Sequence, residues 1–286
     1  MKRKTAGFLV LAAFGLVALL LYYGRYELRL VPNEPHLRPE LKEPSPGELD
    51  ARFMLAGGPE RDNRGFPQRR IVDLASLFPN LFLREGPQKI KKVALTFDDG
   101  PDSVYTPQIL DILNAEKVKG TFFLIGNRAR LFPAVVKRMV KEGHVVGNHS
   151  MTHPNIAKLK PEQVKKELLE AESALKNLIG YRTALFRSPY GSLEPETVKL
   201  IASYGYKVIA WNVDSLDWKS LSAEQVKYNI LENVKEGSII LQHSSGSEKE
   251  NLTGTVGALR DVIKTLKKEG YEFVTVPQLL NIPYKK

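Results

Sequence analysis

The 286-residue chain contains no cysteine. This absence excludes disulfide frameworks, thiolate nucleophiles and cysteine-ligated zinc, so any bound metal must be held by histidine, aspartate or glutamate. Histidine is also scarce, with five residues in the chain, which makes a pair of histidines at ligand spacing informative. Apolar residues make up 43% of the chain and charged residues 26%, a balance that excludes wholesale disorder and is typical of a folded protein.

Acidic residues are in deficit, because 42 Lys and Arg stand against 32 Asp and Glu and leave a net charge of +10. A basic surface can bind nucleic acid by releasing counterions from phosphates. However, the sequence has no motif that reads RNA or DNA and no basic stripe interleaved with aromatic side chains, so nucleic acid is not expected as a partner. Attraction to an anionic cell wall or membrane surface accounts for the charge equally well.

An uncharged apolar run at residues 6–23 follows Lys2, Arg3 and Lys4. At helical rise this run covers about 27 Å, close to the thickness of a hydrocarbon core. The basic residues before it predict a cytoplasmic N-terminus, with the rest of the chain outside. We therefore predict a single-pass membrane anchor. A cleaved signal peptide and secretion are the alternative, although residues 20–24 match a cleavage site poorly.

Three regions are predicted along the chain. Residues 1–23 form a cytoplasmic tip and the transmembrane anchor. Residues 24–88 are predicted to be an extracytoplasmic stalk, because prolines recur at positions 32, 35, 39, 44 and 46. Within the stalk, residues 71–82 are apolar enough to pack as a short helix and strand against the edge of the domain. Residues 89–286 form the folded domain.

Short apolar strands alternate with amphipathic helices from residue 89 onward. Strands are predicted at residues 93–97, 120–125, 145–146, 185–187, 206–210, 238–241 and 272–276. Helices are predicted at residues 106–117, 132–142, 161–179, 194–204, 223–234 and 256–269. This alternation predicts an α/β fold with a mostly parallel sheet, closed or nearly closed as a barrel. In such folds the reacting groups lie at the carboxyl ends of the strands.

Two adjacent carboxylates, Asp98 and Asp99, directly follow the first of these strands. Consecutive residues of a strand point to opposite faces, so both can serve one site only if the chain bends there. We expect Gly100-Pro101 to supply the bend. A simple surface turn is the alternative, but the position at the carboxyl end of a strand favours a functional site.

Two histidines, His149 and His153, follow the 145–146 strand at a spacing of four residues. On one helical turn this spacing puts both imidazoles on the same face, where they can hold one cation. A structural role is the alternative, but the spacing and the position favour a metal site. For His144 and His36 we favour a structural or solvent-exposed interpretation.

Further polar motifs follow three later strands. Arg187 ends one strand and would be a costly buried charge without a carboxylate partner, so we expect an Asp beside it in the site; a surface ion pair is the alternative. Trp218 follows Asp214 and Asp217 and is either a core residue or the wall of a pocket. His243 ends the next predicted strand and is the one remaining histidine that a strand end delivers to the site.

These five motifs together resemble the polysaccharide deacetylases of carbohydrate esterase family 4, which share the NodB homology domain. The resemblance extends from about residue 89 to residue 280. The five motifs that carry it are Thr-Phe-Asp-Asp-Gly at 96–100, His-Ser-x-x-His-Pro at 149–154, Arg-x-Pro-Tyr-Gly at 187–191, Asp-x-x-Asp-Trp at 214–218 and Leu-x-His at 241–243. Each motif alone is weak, but their common order and spacing make a strong signal.

The resemblance implies a distorted (β/α) barrel of the NodB type that holds one divalent metal, with Zn²⁺ expected and Co²⁺ or Ni²⁺ as alternatives. Its ligands would be Asp99, His149 and His153, which leaves positions for water and for the acetamido carbonyl of the substrate. Asp98 would be the general base, and His243 would be the general acid that protonates the departing sugar amine.

The resemblance also implies which residues support the reaction. Arg187 would hold Asp98, and Asp217 would orient His243. The backbone N–H of Tyr190 would stabilise the oxyanion. The pocket for the acetyl group would be lined by Pro189, Tyr190, Trp218 and Leu241. Ser188 and Ser244 depart from the family pattern, but neither position is catalytic, so the departures bear on substrate preference rather than on the reaction.

The sequence thus predicts a membrane-tethered hydrolase that removes N-acetyl groups from cell-wall glycan, most directly from N-acetylglucosamine in peptidoglycan. The predicted anchor favours peptidoglycan, because it puts the wall within reach of the domain. A chitin-oligomer deacetylase and an acetyl-xylan esterase are the alternatives within the family. A catalytically silent wall-binding domain is the alternative from another class, although binding alone would not need both a base and an acid. No protein partner is implied.

Overall fold

The computed structural model describes residues 73–247 and 250–286. The predicted transmembrane helix at 6–23 and the predicted stalk as far as residue 72 lie outside these residues, as does His36. Within the described part of the chain, no helix has both the length and the apolar character that crossing a bilayer requires.

Strands and helices alternate along the described residues, as the sequence predicts. The strands are β1 (Phe82–Leu83), β2 (Lys92–Asp98), β3 (Thr121–Leu124), β4 (Val145–Asn148), β5 (Leu185–Phe186), β6 (Lys207–Ile209), β7 (Val213–Asp214), β8 (Ile239–His243) and β9 (Glu272–Phe273). The helices are α1 (Leu74–Leu77), α2 (Tyr105–Ala115), α3 (Gly126–Leu131), α4 (Pro133–Lys141), α5 (Pro161–Ile179), α6 (Pro195–Ser203), α7 (Ala223–Leu231), α8 (Thr253–Lys268) and α9 (Val276–Leu280).

The strands form one parallel sheet in the order β1-β6-β5-β4-β3-β2-β8-β7, and β9 pairs with the beginning of β2. β6 and β7 follow one another in the chain, but β6 is the second strand of this order and β7 is the last. Because only three residues connect Ile209 to Val213, the end of β6 and the beginning of β7 lie within about 14 Å of each other. The sheet therefore curls into a parallel half-barrel, and irregular backbone contacts such as Gly86 N–H to Gly237 O (2.7 Å) bridge its gap.

Residues 73–83 fall within the predicted stalk and contain the expected short helix and strand. Asp73 begins α1 by accepting the backbone N–H groups of Ala75 and Ser76. β1 then pairs with β6, with Phe82 opposite Val208. This segment therefore adds an edge strand to the sheet.

The inward face of β2 and β8 changes character along the strands. Ala94 lies opposite Ile239 in an apolar cluster that fills the lower part of the half-barrel. Four residues further along each strand, the same register puts Asp98 opposite His243. Both strands are buried along their whole length except at Lys92, as expected for a parallel sheet covered by helices. The apolar floor and the polar carboxyl end of this one face together position the site.

Candidate active site and metal centre

Asp98 and His243 end neighbouring strands, and both side chains are buried. Because parallel strands present their carboxyl ends at the same edge, the first and fifth sequence motifs meet here. The third motif meets them at the same edge, because Arg187 directly follows β5. The expected convergence of motifs at the strand ends is present in the structure.

The chain turns at Asp99, which has a φ of 66° in the left-handed region. The bend predicted at Gly100-Pro101 therefore begins one residue earlier, and it brings the Asp99 carboxylate toward the same site as Asp98. Gly100 serves a different purpose, because a methyl group at its Cα would collide with the hydroxyl of Ser244. Glycine at this position leaves room for the Ser244 side chain, which directly follows β8.

The residues from His149 to His153 form a loop rather than the predicted helical turn. Ser150 and His153 have φ values of 66° and 62°, which no right-handed helix contains. The prediction that both imidazoles share one face is nevertheless met by this loop, since the ring centroids lie 5.0 Å apart. The Nε2 atoms of His149 and His153 lie 3.2 and 3.1 Å from Asp99 Oδ1.

This cluster of Asp99, His149 and His153 fits a divalent metal. Its three ligand atoms all lie within 4.8 Å of one another. The Nδ1 atom of His149 is 2.8 Å from the carbonyl oxygen of Arg187. A carbonyl can only accept, so Nδ1 carries a proton, and Nε2 is the ring nitrogen that would bind a metal. Two imidazole nitrogens and one carboxylate are a donor set that suits zinc.

The electrostatics of the site favour positive charge. Burial alone would raise the pKa of Asp99, but the adjacent His153 and His149 outweigh it and hold the pKa of this carboxyl well below its usual range. Burial of His149 lowers its pKa, but Asp98 and Asp99 outweigh that effect and raise it. Asp99 is therefore ionised at neutral pH, which is the form in which a carboxylate binds a cation.

Arg187 is buried and bonds to the first carboxylate of the site. Its Nη1 donates to Asp98 Oδ1 at 2.9 Å and to Thr96 Oγ1 at 2.8 Å, and its Nε donates to the Ile209 carbonyl at 3.0 Å. The guanidinium lies over the ring of Phe123, 4.2 Å from its centroid. Asp98 is thus the carboxylate partner that the sequence leads us to expect. Arg187 fixes one oxygen of Asp98 and leaves the other, Oδ2, on the side of the histidines.

His243 is oriented by Asp217. Its Nδ1 lies 2.7 Å from Asp217 Oδ1, and its backbone N–H donates to Oδ2 at 2.8 Å. Thr255, from α8, donates its hydroxyl to the same Oδ2 at 2.7 Å and fixes the carboxylate in turn. With Nδ1–H donating to Asp217, the lone pair or proton that takes part in chemistry is carried on Nε2.

A cleft with a volume of about 270 Å³ opens beside Asp99 and His153. Tyr190 is the one residue of the predicted acetyl pocket that lines this cleft, and its hydroxyl lies 3.1 Å from His153 Nδ1. The sequence analysis did not single out the other residues that line the cleft, which are Ile125, Asn127, Arg128, Thr152, Ser247 and Glu250. Pro189, Trp218 and Leu241 do not line it, and their role at the acetyl group stays a prediction, as does that of the Tyr190 N–H.

The two departures from the family pattern have structural contacts. Ser188 donates its hydroxyl to the Ser192 carbonyl at 2.9 Å and closes the turn around Tyr190. Ser244 donates its backbone N–H to the Asp98 carbonyl at 2.9 Å and ties β8 to β2. Neither contact removes a group from the site.

His144 has the structural role that the sequence favours. Its Nδ1 accepts the backbone N–H of Gly120 at 3.0 Å. Burial of the ring lowers the pKa of His144 to about 4. The imidazole is therefore neutral at physiological pH and serves as a buried acceptor between two strands.

Comparison with known proteins points to one family. The sequence pattern of the polysaccharide deacetylase family matches residues 85–209. A peptidoglycan-N-acetylglucosamine deacetylase of Bacillus cereus is 43% identical over 194 residues, which cover 68% of this chain and 70% of that protein.

Two solved structures place the fold in the same family. The crystal structure of the Bc1960 peptidoglycan N-acetylglucosamine deacetylase is 40% identical, with a TM-score of 0.71 over 74% of this chain and 98% of that one. A CE4 family pseudoenzyme from Bacillus anthracis is 29% identical, with a TM-score of 0.65 over 69% of this chain and 68% of that one. The half-barrel is thus a fold that this family uses in both active enzymes and a pseudoenzyme.

Proposed function

Because this chain belongs to the polysaccharide deacetylase family, we propose that it removes N-acetyl groups from cell-wall glycan, with N-acetylglucosamine of peptidoglycan as its substrate. The observation that carries this proposal is the convergence of a triad of metal-ligating side chains with two buried acid–base candidates at one end of the half-barrel. The names of the relatives support peptidoglycan as the polymer.

A divalent metal, with Zn²⁺ expected, would be held by Asp99, His149 and His153 and would polarise the acetamido carbonyl and acidify the attacking water. Asp98 is suited to accept the proton of that water. Its Oδ1 is held by Arg187 at 2.9 Å, so Oδ2 faces the triad in a fixed direction. Because the carboxylate is buried and oriented in advance, proton transfer needs no rearrangement of the side chain.

His243 is suited to supply the proton that the leaving group needs. Breaking the bond between the acetyl carbon and the sugar nitrogen leaves an amine, which departs only if it is protonated. Asp217 holds Nδ1–H at 2.7 Å and stabilises the imidazolium form, so that the Nε2 proton is directed into the site. The products are acetate and a glycan with a free amino group, and the water proton taken by Asp98 balances the proton given by His243.

The alternatives within the family are deacetylation of chitin oligomers and hydrolysis of acetyl-xylan, and neither is favoured by a contact in the cleft. The alternative from another class is a silent wall-binding domain, and the pseudoenzyme among the structural relatives makes it a concrete one. Against it stand the intact Asp98–Arg187 pair and the intact His243–Asp217 pair, since binding alone needs neither.

We expect the purified full-length chain, loaded with zinc, to release acetate from peptidoglycan faster than from chitin oligomers or acetyl-xylan of matched length. His149→Ala and His153→Ala should lose zinc and activity together, because each removes one of three ligands. Acetate measured by a coupled assay and zinc measured by elemental analysis of the same samples check both expectations. Full zinc content in either variant would contradict the proposed triad, and no acetate release from any of the three glycans would contradict the enzyme itself.

We also propose that residues 6–23 anchor the protein in the membrane with the catalytic domain outside, which rests on the sequence pattern alone. A reporter enzyme that works only outside the cytoplasm, fused after Lys286, should be active in whole cells. The fusion should stay in the membrane fraction. A shorter soluble fusion in the medium would support the cleaved signal peptide instead.

A further inference from the structure

In the loop that joins His149 to His153, each of the four backbone amides of residues 150–153 donates to an acceptor. Ser150 N–H donates to Asn148 Oδ1 at 2.8 Å, and His153 N–H donates to Ser150 Oγ at 3.0 Å. The two amides between them, Met151 N–H and Thr152 N–H, both donate to one oxygen of Glu167, at 2.8 Å each. Met151 is buried, so its amide needs an acceptor within the protein, and Glu167 from another element of the fold supplies it.

Glu167 lies in α5, outside all five sequence motifs. Its Oε2 takes the two backbone amides, and its Oε1 takes the hydroxyl of Thr152 at 2.8 Å. The Met151 side chain packs against Ala171 of the same helix, so the loop rests on α5 through both its backbone and a side chain. A carboxylate that accepts three hydrogen bonds from two adjacent residues fixes the backbone between them.

The residues on either side of this contact are strained. Ser150 and His153 both have left-handed φ values, which non-glycine residues adopt at a cost. Such conformations persist only when surrounding contacts determine them. Because Met151 and Thr152 lie between the two strained residues, the Glu167 contact is placed where it can hold both.

We propose that Glu167 is a positioning residue for the metal centre, holding the loop so that the imidazoles of His149 and His153 converge before a metal binds. This inference rests on the proposed function, since it takes Asp99, His149 and His153 as ligands. Glu167 is not one of the proposed ligands, and it does not line the cleft. Its contribution is to metal affinity, because ligands that are held in place in advance lose less freedom on binding.

A negative charge near a cation could raise affinity without any positioning, and three substitutions separate the two explanations. Glu167→Ala removes both the charge and the acceptor. Glu167→Asp keeps the charge but is one methylene too short to reach the loop. Glu167→Gln removes the charge but keeps an oxygen for the two amides, and its own N–H can donate to the Thr152 hydroxyl. Glu170→Ala, on the exposed side of the same helix, is the matched control.

The measurement is the zinc dissociation constant of each purified full-length variant, by competition with a chromophoric chelator. We expect Glu167→Ala and Glu167→Asp to bind zinc roughly 10- to 100-fold more weakly, as for other residues that orient metal ligands. Glu167→Gln and Glu170→Ala should stay within a few-fold of the unaltered protein. The rise in melting temperature on adding zinc should follow the same order, and turnover at saturating zinc should change little.

Unchanged zinc affinity in Glu167→Asp would overturn the proposal, and if Glu167→Ala and Glu167→Gln were both weakened in the same series, the charge would be the explanation instead. If Glu167→Ala does not fold, the Asp and Gln variants still decide between these outcomes. The unaltered protein and His149→Ala are measured in the same series. Zinc binding that survives His149→Ala would contradict the metal site itself rather than the role of Glu167.

Discussion

Asp98→Asn should lower turnover by roughly a hundredfold or more and leave zinc affinity nearly unchanged. The Asn carbonyl can still accept from Arg187 Nη1, which lies 2.9 Å from Asp98 Oδ1, so the side chain should keep its place. The amide nitrogen then replaces the oxygen that faces the histidines. An amide cannot accept a proton from water, and the catalytic base is lost without a change in shape.

Asp99→Asn should behave in the opposite way, although it lies one residue further along the chain. It replaces an anionic ligand by a neutral amide, so zinc affinity should fall first, and added zinc should restore part of the activity. A zinc titration of both variants, with turnover and bound metal measured at each point, checks the pair together. Rescue of Asp98→Asn by zinc, without rescue of Asp99→Asn, would mean that the two roles are reversed.

Arg187→Met should destabilise the fold by about 3–5 kcal/mol, the usual cost of removing one partner from a buried ion pair. Arg187 is 1% exposed and makes hydrogen bonds to Asp98, to Thr96 and to backbone carbonyls. Methionine fills much of the same space but satisfies none of these acceptors. The Asp98 carboxylate would remain buried without its counter-charge, which is the largest part of the expected loss.

Chemical denaturation of the zinc-free proteins measures this loss. Lys199→Met is the control, because the Lys199–Glu196 pair is exposed and such pairs contribute about 1 kcal/mol or less. The double variant Arg187→Met with Asp98→Asn should be more stable than Arg187→Met alone, since it removes the unpaired charge. A loss for Arg187→Met no larger than that of the control would contradict a buried, coupled pair.

The motif residues could be predicted from the sequence because each directly follows a short apolar strand. Asp98, His149, Arg187 and His243 all lie at or just after the end of a strand, as the alternation of strands and helices predicts. In a parallel sheet all such ends meet at one edge, so order along the chain is enough to bring these residues together. The resemblance to a family then named their expected roles.

The residues that hold the site could not be predicted in the same way. Glu167 and Thr255 lie in amphipathic helices, where a polar residue ordinarily faces solvent. No local pattern distinguishes these positions, because their partners are distant in sequence and are brought close only by the packing of the helices on the sheet.

Backbone conformation shows most clearly which features of the site follow from the sequence and which depend on the tertiary structure. The sequence alone determined which residues converge, since strand periodicity and strand ends are local properties of the chain. Only the tertiary structure decided how they converge: through a left-handed Asp99 rather than a bend at the following Gly-Pro, and through a strained loop rather than a helical turn between His149 and His153. The physical reason is that a non-glycine residue adopts a positive φ at a local cost, and contacts from other elements, here a carboxylate on α5 among them, must outweigh that cost.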